Sequence, residues 1–179
     1  LAFAKKNKVY GFDVNLRRVN DLNKGIDFNK EFTKKQIKLK SNICFTNKIE
    51  NLSHCKIFVI AVPTPIFKNK NLNLNFLKKS CQEVSKVLKK NDIIIFESTV
   101  YPGITENFCA KIIEKKSNLI FNKDFFCGYS PERINPGDKN NTLENIIKIT
   151  SGSNLKISKK VDKLYKSIIK AGTIRVESI

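Results

Sequence analysis

The sequence has no methionine, no tryptophan and a single histidine, His54, among its 179 residues. One histidine cannot supply a multi-histidine metal site, and we expect His54 at the surface or a helix end rather than in a catalytic triad. The five cysteines include no C-x-x-C pair, which is the spacing typical of zinc and redox motifs. We therefore predict no metal centre.

Long apolar runs are also missing. No stretch approaches the roughly 18 residues that a membrane-spanning helix needs, and the apolar residues 1–4 are too few for a signal peptide. Without a secretory signal, reduced cysteines in the cytoplasm are the expected setting. We accordingly expect a cytoplasmic protein with no membrane partner.

Arginine is scarce although the chain is strongly basic. Lysine and arginine total 34 against 16 acidic residues, for a formal charge of +18, yet only Arg17, Arg18, Arg133 and Arg175 are arginines. Arginine makes most of the two-pronged contacts to bases and phosphates. Because the lysines are spread along the chain among many asparagines, we interpret the charge as a compositional bias and predict no nucleic-acid partner. A basic nucleic-acid-binding module is the non-enzymatic alternative.

Short apolar runs alternate with amphipathic segments along the chain. Residues 56–62 and 92–97 have the apolar character of strands that are buried on both faces. Further strands are predicted at 8–13, 42–46, 146–150 and 173–179 and before Tyr129, and helices at 14–24, 29–40, 75–89 and 104–115, with a last helix capped by Ser153 or Asn154 and ending at Ile169. This alternation predicts an α/β fold, a Rossmann-type doubly wound parallel sheet.

Polar loops follow several of the predicted strands. Asp13 ends the first strand, Pro63-Thr64-Pro65 follows the third, and Ser98-Thr99-Val100-Tyr101-Pro102-Gly103 follows the fourth. In an open α/β sheet, such loops line the ligand crevice, and an acid at the place of Asp13 bonds the ribose hydroxyls of NAD. That carboxylate would repel the 2′-phosphate of NADP. Ordinary turn chemistry explains any one of these loops equally well.

A further loop places a carboxylate and a guanidinium side by side, in Tyr129-Ser130-Pro131-Glu132-Arg133-Ile134-Asn135-Pro136-Gly137-Asp138. Prolines keep the residue before them extended, so Ser130 and Asn135 are held out of helix. A rigid loop after a strand end suits ligand binding. A surface turn with an ion pair is the alternative.

Taken together, these residues resemble the UDP-glucose/GDP-mannose dehydrogenase family, the nucleotide-sugar 6-dehydrogenases. Asp13, the strand into Val62-Pro63-Thr64-Pro65, the Glu97-to-Gly103 segment and Ser130-Pro131-Glu132-Arg133 occur in that family's order and spacing. The likeness covers the chain as the N-terminal NAD-binding domain, and the loop after Tyr129 is most similar to the branch acting on UDP-N-acetylhexosamines. The resemblance implies oxidation of the sugar C6 alcohol to a carboxylate, with a UDP-sugar as substrate and two NAD reduced, for polysaccharide synthesis.

Residue roles are also implied by the resemblance. Asp13 would hold the adenosine ribose with Arg18 nearby, and the cofactor crevice would be lined by Val62, Pro63, Thr64, Ser98 and Thr99. Glu132 would act with a water as acid and base, helped by Thr99. The sugar-nucleotide loop would comprise Glu132, Arg133, Ile134, Asn135 and Pro136.

Other parts of the family's pattern are not present. The chain begins with Leu1 and ends on a strand-like run, so we expect a piece of a longer protein, homodimeric or larger. The family's own first strand with its Gly-rich turn, the central helix with the catalytic lysine, and the C-terminal UDP-binding domain with the catalytic cysteine would lie outside it. Without that additional strand, its two neighbours expose unpaired edges. Another two-domain NAD dehydrogenase, of the 6-phosphogluconate or hydroxyacyl type, is the enzymatic alternative.

Overall fold

The computed structural model of the protein describes residues 1–38, 42–132 and 145–179. Two compact units make up the chain, Leu1–His54 and Cys55–Ile179. Each has its own sheet, of two strands in the first unit and five in the second.

The first unit is built on a pair of parallel strands. Its elements are a 3-10 turn (Phe3–Lys5), β1 (Val9–Phe12), α1 (Leu16–Asn23), α2 (Lys34–Lys38), β2 (Ile43–Thr46) and a second 3-10 turn (Ile49–Leu52). β1 and β2 pair in parallel, with Val9 opposite Ile43. α1 starts at Asn15 because the side chain of that residue accepts a hydrogen bond from the backbone N–H of Arg18.

The second unit contains most of the chain's helices and strands. Its elements are β3 (Ile57–Ile60), α3 (Asn75–Ser85), β4 (Ile93–Phe96), a π-helical segment (Ile104–Ala110), α4 (Lys111–Ser117), β5 (Phe126–Tyr129), β6 (Lys148–Gly152), α5 (Leu155–Lys166) and β7 (Thr173–Arg175). The strands lie in the order β3-β4-β5-β6-β7. The predicted strands are all present, and the helices predicted at 29–40 and 75–89 are shorter than expected.

The sheet of the second unit is parallel, as predicted, except at one pair of strands. β5 and β6 are antiparallel, with Gly128 opposite Gly152, whereas the other paired strands of this sheet are parallel. A parallel connection needs a crossover, usually a helix. Antiparallel neighbours need no crossover, and β6 begins at the end of the sheet where β5 finishes.

Helices cover both faces of the five-stranded sheet. Neighbouring residues of a strand point to opposite faces. On β5, Gly128 faces Val161 of α5, and Cys127 lies beside Cys109 of the π-helical segment. β4 lies between these layers, and its four residues are at most 4% exposed. Burial of such apolar side chains is the main stabilising contribution to the unit.

Helix α5 approaches β6 closely at Gly152. A Cβ atom at this glycine would lie 2.3 Å from the backbone nitrogen of Ser158. The absence of a side chain therefore allows the first turn of α5 to rest against the strand. Among the described residues, the helices are too short and polar for any of them to span a lipid bilayer.

Candidate active site

Parallel strands bring several of the residues predicted from the sequence to the carboxyl ends of the strands in the larger sheet, which we call the edge. β3 and β4 end level with each other, with Ile60 opposite Phe96. Backbone bonds continue past the strands: the N–H of Glu97 donates to the carbonyl of Ile60 at 2.9 Å, and that of Ser130 donates to Phe96 at 3.0 Å. The N–H of Glu132 then donates to the carbonyl of Glu97 at 3.1 Å. The residues that follow β4 and β5 are therefore fixed side by side.

Hydroxyl groups join the loop after β3 to the loop after β4. Ser98 Oγ donates to the carbonyl of Val62 at 2.7 Å, and Thr64 Oγ1 donates to the carbonyl of Thr99 at 2.7 Å. The structure thus brings together the two loops that the sequence placed at this edge, with Pro63 between the bonded residues. Both hydroxyl protons are used, but each oxygen keeps acceptor capacity. These two hydrogen bonds hold the loops together, so we call them the braced loops.

A buried lysine bridges the two carboxylates at the edge. Lys148 Nζ lies 3.5 Å from Glu97 Oε1 and 3.3 Å from Glu132 Oε2. The lysine side chain is 5% exposed, whereas those of Glu97 and Glu132 are 15% and 40% exposed. A buried charge is costly unless it is paired, so the ammonium and the carboxylates stabilise one another.

Tyr165 of α5 forms a cluster with Lys148, Glu97 and Glu132. Its hydroxyl donates to Glu97 Oε1 at 2.5 Å, and the Lys148 ammonium lies 5.7 Å from the centre of its ring. Burial, together with the negative charge of Glu97, raises the pKa of Tyr165 well above its ordinary value. The phenol therefore remains a hydrogen-bond donor at neutral pH. Ser130 supports the same region by donating to the carbonyl of Ile149 at 2.7 Å.

In the first unit, Asp13 follows β1 and faces Arg18. One carboxylate oxygen accepts from the N–H of Asn15 at 2.9 Å, and the other lies 3.5 Å from the Arg18 Nε. The Asp13 side chain is 35% exposed and keeps spare acceptor capacity. A depression of about 360 Å³ lies along α1, lined in part by Arg17, Arg18 and Phe28. A carboxylate of this kind fits the vicinal hydroxyls of a ribose.

The NAD-binding domain of the UDP-glucose/GDP-mannose dehydrogenase family matches this chain over residues 1–169. The chain belongs to this family. The family and the α/β fold predicted from the sequence are thereby confirmed, and NAD is the family's cofactor.

Individual dehydrogenases resemble the chain along nearly its whole length. It is 49% identical to a UDP-N-acetyl-D-glucosamine 6-dehydrogenase of Pseudomonas aeruginosa and 47% identical to one of Salmonella typhi, over 99% of this chain in each case. A solved UDP-D-ManNAc dehydrogenase of Pyrococcus horikoshii superposes with a TM-score of 0.89 at 26% identity, covering 99% of this chain and 43% of that one. The chain spans 42% of the length of the two bacterial relatives.

Part of the cluster is not predicted from the sequence, which indicates no role for Lys148, Tyr165 or Glu97. Lys148 offered a signal, because it interrupts the apolar run Ile146-Ile147-Lys148-Ile149, where a buried strand would rarely hold a lysine. Tyr165 offered none, since an aromatic residue on an amphipathic helix is ordinary core. The predicted loop residues Arg133, Ile134, Asn135 and Pro136 lie outside the described residues.

The buried thiols of this domain are poorly suited to nucleophilic chemistry. Cys81, Cys109 and Cys127 are fully buried. A hydrogen bond with Cys109, together with burial, raises the pKa of Cys81, and burial raises that of Cys127. A thiol that stays protonated is a weak nucleophile and a weak metal ligand. These three cysteines act as small apolar side chains of the core.

Proposed function

We propose that this chain is the NAD-binding domain of a nucleotide-sugar 6-dehydrogenase that oxidises the C6 alcohol of a UDP-N-acetylhexosamine to a carboxylate. The names of the two bacterial relatives, at 49% and 47% identity, support the N-acetylated branch. Overall, the alcohol, one water and two NAD⁺ would give the carboxylate, two NADH and three protons. Such a product serves polysaccharide synthesis.

The observation that carries the proposal is the position of Glu132. Its partly exposed carboxylate stands beside the braced loops after β3 and β4, at the end of the sheet where ligands bind in open α/β folds. A carboxylate at this place can take a proton from a water or return one to a leaving group. Thr99, on the adjacent loop, is assigned to positioning that water.

We assign the residues after β1, β3 and β4 to cofactor binding. Asp13 would accept hydrogen bonds from the adenosine ribose, with Arg18 beside it, and the braced loops would line the nicotinamide side, through Val62, Pro63, Thr64, Ser98 and Thr99. When bound, NAD supplies a hydride acceptor. The remaining tasks, which are orienting the substrate and moving protons, belong to the protein.

The whole enzyme extends the proposal further. Arg133, Ile134, Asn135 and Pro136 are assigned to the sugar-nucleotide loop. The chain spans 42% of the relatives' length, which supports a longer protein. To that protein we assign a central helix, a C-terminal UDP-binding domain and assembly as a homodimer or larger. All five cysteines are free thiols, which supports a cytoplasmic location.

NADH formation by the full-length protein tests the function. UDP-N-acetylglucosamine, UDP-N-acetylgalactosamine and UDP-glucose are compared at saturating NAD⁺. We expect two NADH per N-acetylated sugar, and a loss of about 10²-fold or more in turnover for Glu132→Gln, the usual contribution of a general base.

Glu83→Gln is the matched control. Glu83 pairs with Lys86 on the exposed side of α3, and this variant should retain full turnover. Activity confined to UDP-glucose would refute the N-acetylated branch, and no turnover of any nucleotide sugar despite NAD binding would refute the function.

A further inference from the structure

The two carboxylates bridged by Lys148 stand in different surroundings. Glu97 is 15% exposed and accepts a second bond, at 2.5 Å, from the Tyr165 hydroxyl. Glu132 is 40% exposed and lies in the loop that follows β5. The lysine is therefore anchored on its buried side by Glu97, while its other contact reaches the carboxylate that faces the ligand side.

We propose that Lys148 is a positioning residue that fixes the direction of the Glu132 carboxylate, with Glu97 and Tyr165 anchoring the lysine. The inference rests on the acid–base role proposed above for Glu132. Lys148 itself touches no reacting atom in this scheme and acts through Glu132.

The charges of the cluster give the proposal a definite sign. A cation beside a carboxylate favours its ionised form, and a second carboxylate nearby disfavours it. Replacing Lys148 removes a positive charge from beside Glu132, and replacing Glu97 removes a negative one, so the two changes should act in opposite directions. A general base must be ionised, so each change at these residues moves the acidic limb of the rate profile in a direction set by charge.

The other charged groups packed around β6 leave this balance in place. On α5, Asp162 is paired with Lys166 at 2.8 Å. On β7, Thr173 stands opposite Lys148 in the register, and Arg175 is exposed. Among the described residues facing Lys148, the ionisable groups in contact with it are thus Glu97, Glu132 and the phenol of Tyr165.

The first test compares the pH dependence of turnover in full-length wild type and Lys148→Met. Loss of the ammonium leaves two carboxylates close together, so the acidic limb of the kcat profile should move to higher pH, by about one pH unit or more. Turnover near neutral pH should fall about tenfold, with a smaller change in KM, because a positioned base acts on the chemical step. Lys148→Arg, which keeps the positive charge, should show the acidic limb at its wild-type pH.

A second variant predicts a shift of the opposite sign. Glu97→Gln removes a negative charge beside Lys148, so the acidic limb of the kcat profile should move to lower pH. General damage to the fold would not displace the two limbs in opposite directions. Lys56→Met is the matched control: Lys56 pairs at 3.4 Å with the buried Asp92, beside the first residue of β4 at the far end of the sheet, and its loss should leave the pH profile unchanged.

A labelling experiment tests the same point without any turnover. A carbodiimide activates protonated carboxyl groups, which are then trapped by glycine ethyl ester and located by peptide mass spectrometry. The pH of half-maximal labelling at Glu132 should rise in Lys148→Met and fall in Glu97→Gln. Unshifted labelling together with an unshifted kcat profile would overturn the proposal. A wild type that turns over no nucleotide sugar would refute the proposed function, while the labelling shifts would still decide the role of Lys148.

Discussion

Tyr165 is a single side chain whose protonation should affect stability. Burial and the charge of Glu97 raise its pKa in the folded protein. Its contribution is therefore complete below about pH 10, the value for an unfolded chain, and is lost as pH rises further. We expect Tyr165→Phe to lose about 2 kcal/mol of unfolding free energy at neutral pH, through the bond to Glu97, and to show a weaker alkaline decline. Urea unfolding at several pH values measures both.

Tyr101→Phe provides the comparison, since Tyr101 is 59% exposed. Removing its hydroxyl should change neither the free energy of unfolding nor the alkaline decline. An unchanged alkaline decline in Tyr165→Phe would show that the phenol ionises no differently in the folded and unfolded protein.

Side chains differ in how far the sequence could predict their positions. Glu132 was singled out because two prolines and a strand end enclose it, and these are local features. Its partner Lys148 is 16 residues further along the chain, and Tyr165 is 68 residues from its acceptor Glu97. Such pairs form only when the sheet places separate strands together. Sequence pattern therefore indicated which loop carries polar groups, and the fold determined which buried residues hold them.

Helix α5 and strand β6 pack without room for a methyl group. Gly152→Ala would press a Cβ to 2.3 Å from the backbone of Ser158, which cannot move as a side chain can. We expect the variant to lose about 3 kcal/mol of unfolding free energy or fail to fold. In contrast, Gly172 has open space around it but a φ of +91°. Gly172→Ala should cost about 1 kcal/mol from conformation alone. Equal effects in thermal unfolding would contradict this distinction.

Asp162 ties α5 to the two strands beside it. It accepts bonds from Thr150 of β6 at 3.2 Å and Thr173 of β7 at 2.5 Å. Burial alone would raise the pKa of Asp162, but hydrogen bonds from Lys166, Thr173 and Thr150 outweigh it and lower the pKa. The stability it provides is therefore present above about pH 4, the unfolded value, and lost as pH falls further.

Acid unfolding of Asp162→Asn measures that contribution. The variant should be less stable than wild type near neutral pH by about 1–2 kcal/mol, and the difference should shrink below about pH 4. A constant difference at every pH would mean that packing, and not charge, accounts for the loss.

The strands were easier to predict than the connections between them. β4 is a short apolar run that is buried throughout, as expected in the middle of a sheet. The expectation of burial on both faces is wrong for β3, which is the edge strand of the described sheet and leaves Ile57 and Val59 exposed. The reversed direction of β6 could not be deduced from such runs, because an apolar strand has no marker of direction. Similarly, the sequence predicted a helix over 104–115, and its first part, Ile104–Ala110, has π-helical hydrogen bonding. Hydrogen-bond register within a helix depends on packing that local sequence does not specify.

The protein as a whole should be unevenly stable. β4 has partners on both sides and is buried throughout, whereas β1 and β2 are each paired on one side and largely half-buried among the described residues. We expect amides of β4 to exchange with deuterium at least about tenfold more slowly than those of β1 and β2, because exchange follows the local free energy of opening. Peptide-resolved mass spectrometry of the exchanging protein would measure this, and uniform rates would contradict it.

The family was predictable because its loops retain an order along the chain. Asp13, Thr64, Ser98 and Glu132 each follow a strand, and this succession is more specific than any one of them. The sugar is less predictable. Its proposed loop falls partly at residues 133–144, outside the described structure, and a difference of one acetamido group depends on a few contacts.

The antiparallel pairing of β5 and β6 has an evolutionary consequence. β5 ends and β6 begins at the same end of the sheet, where Glu132 and Lys148 form an ion pair at 3.3 Å. Doubling the length of a closed loop costs only about 0.6 kcal/mol. We therefore expect the sequence between Glu132 and Lys148 to tolerate insertions and deletions at little cost in folding free energy, with the ion pair and the core unchanged. New specificities can arise there without redesign of the sheet.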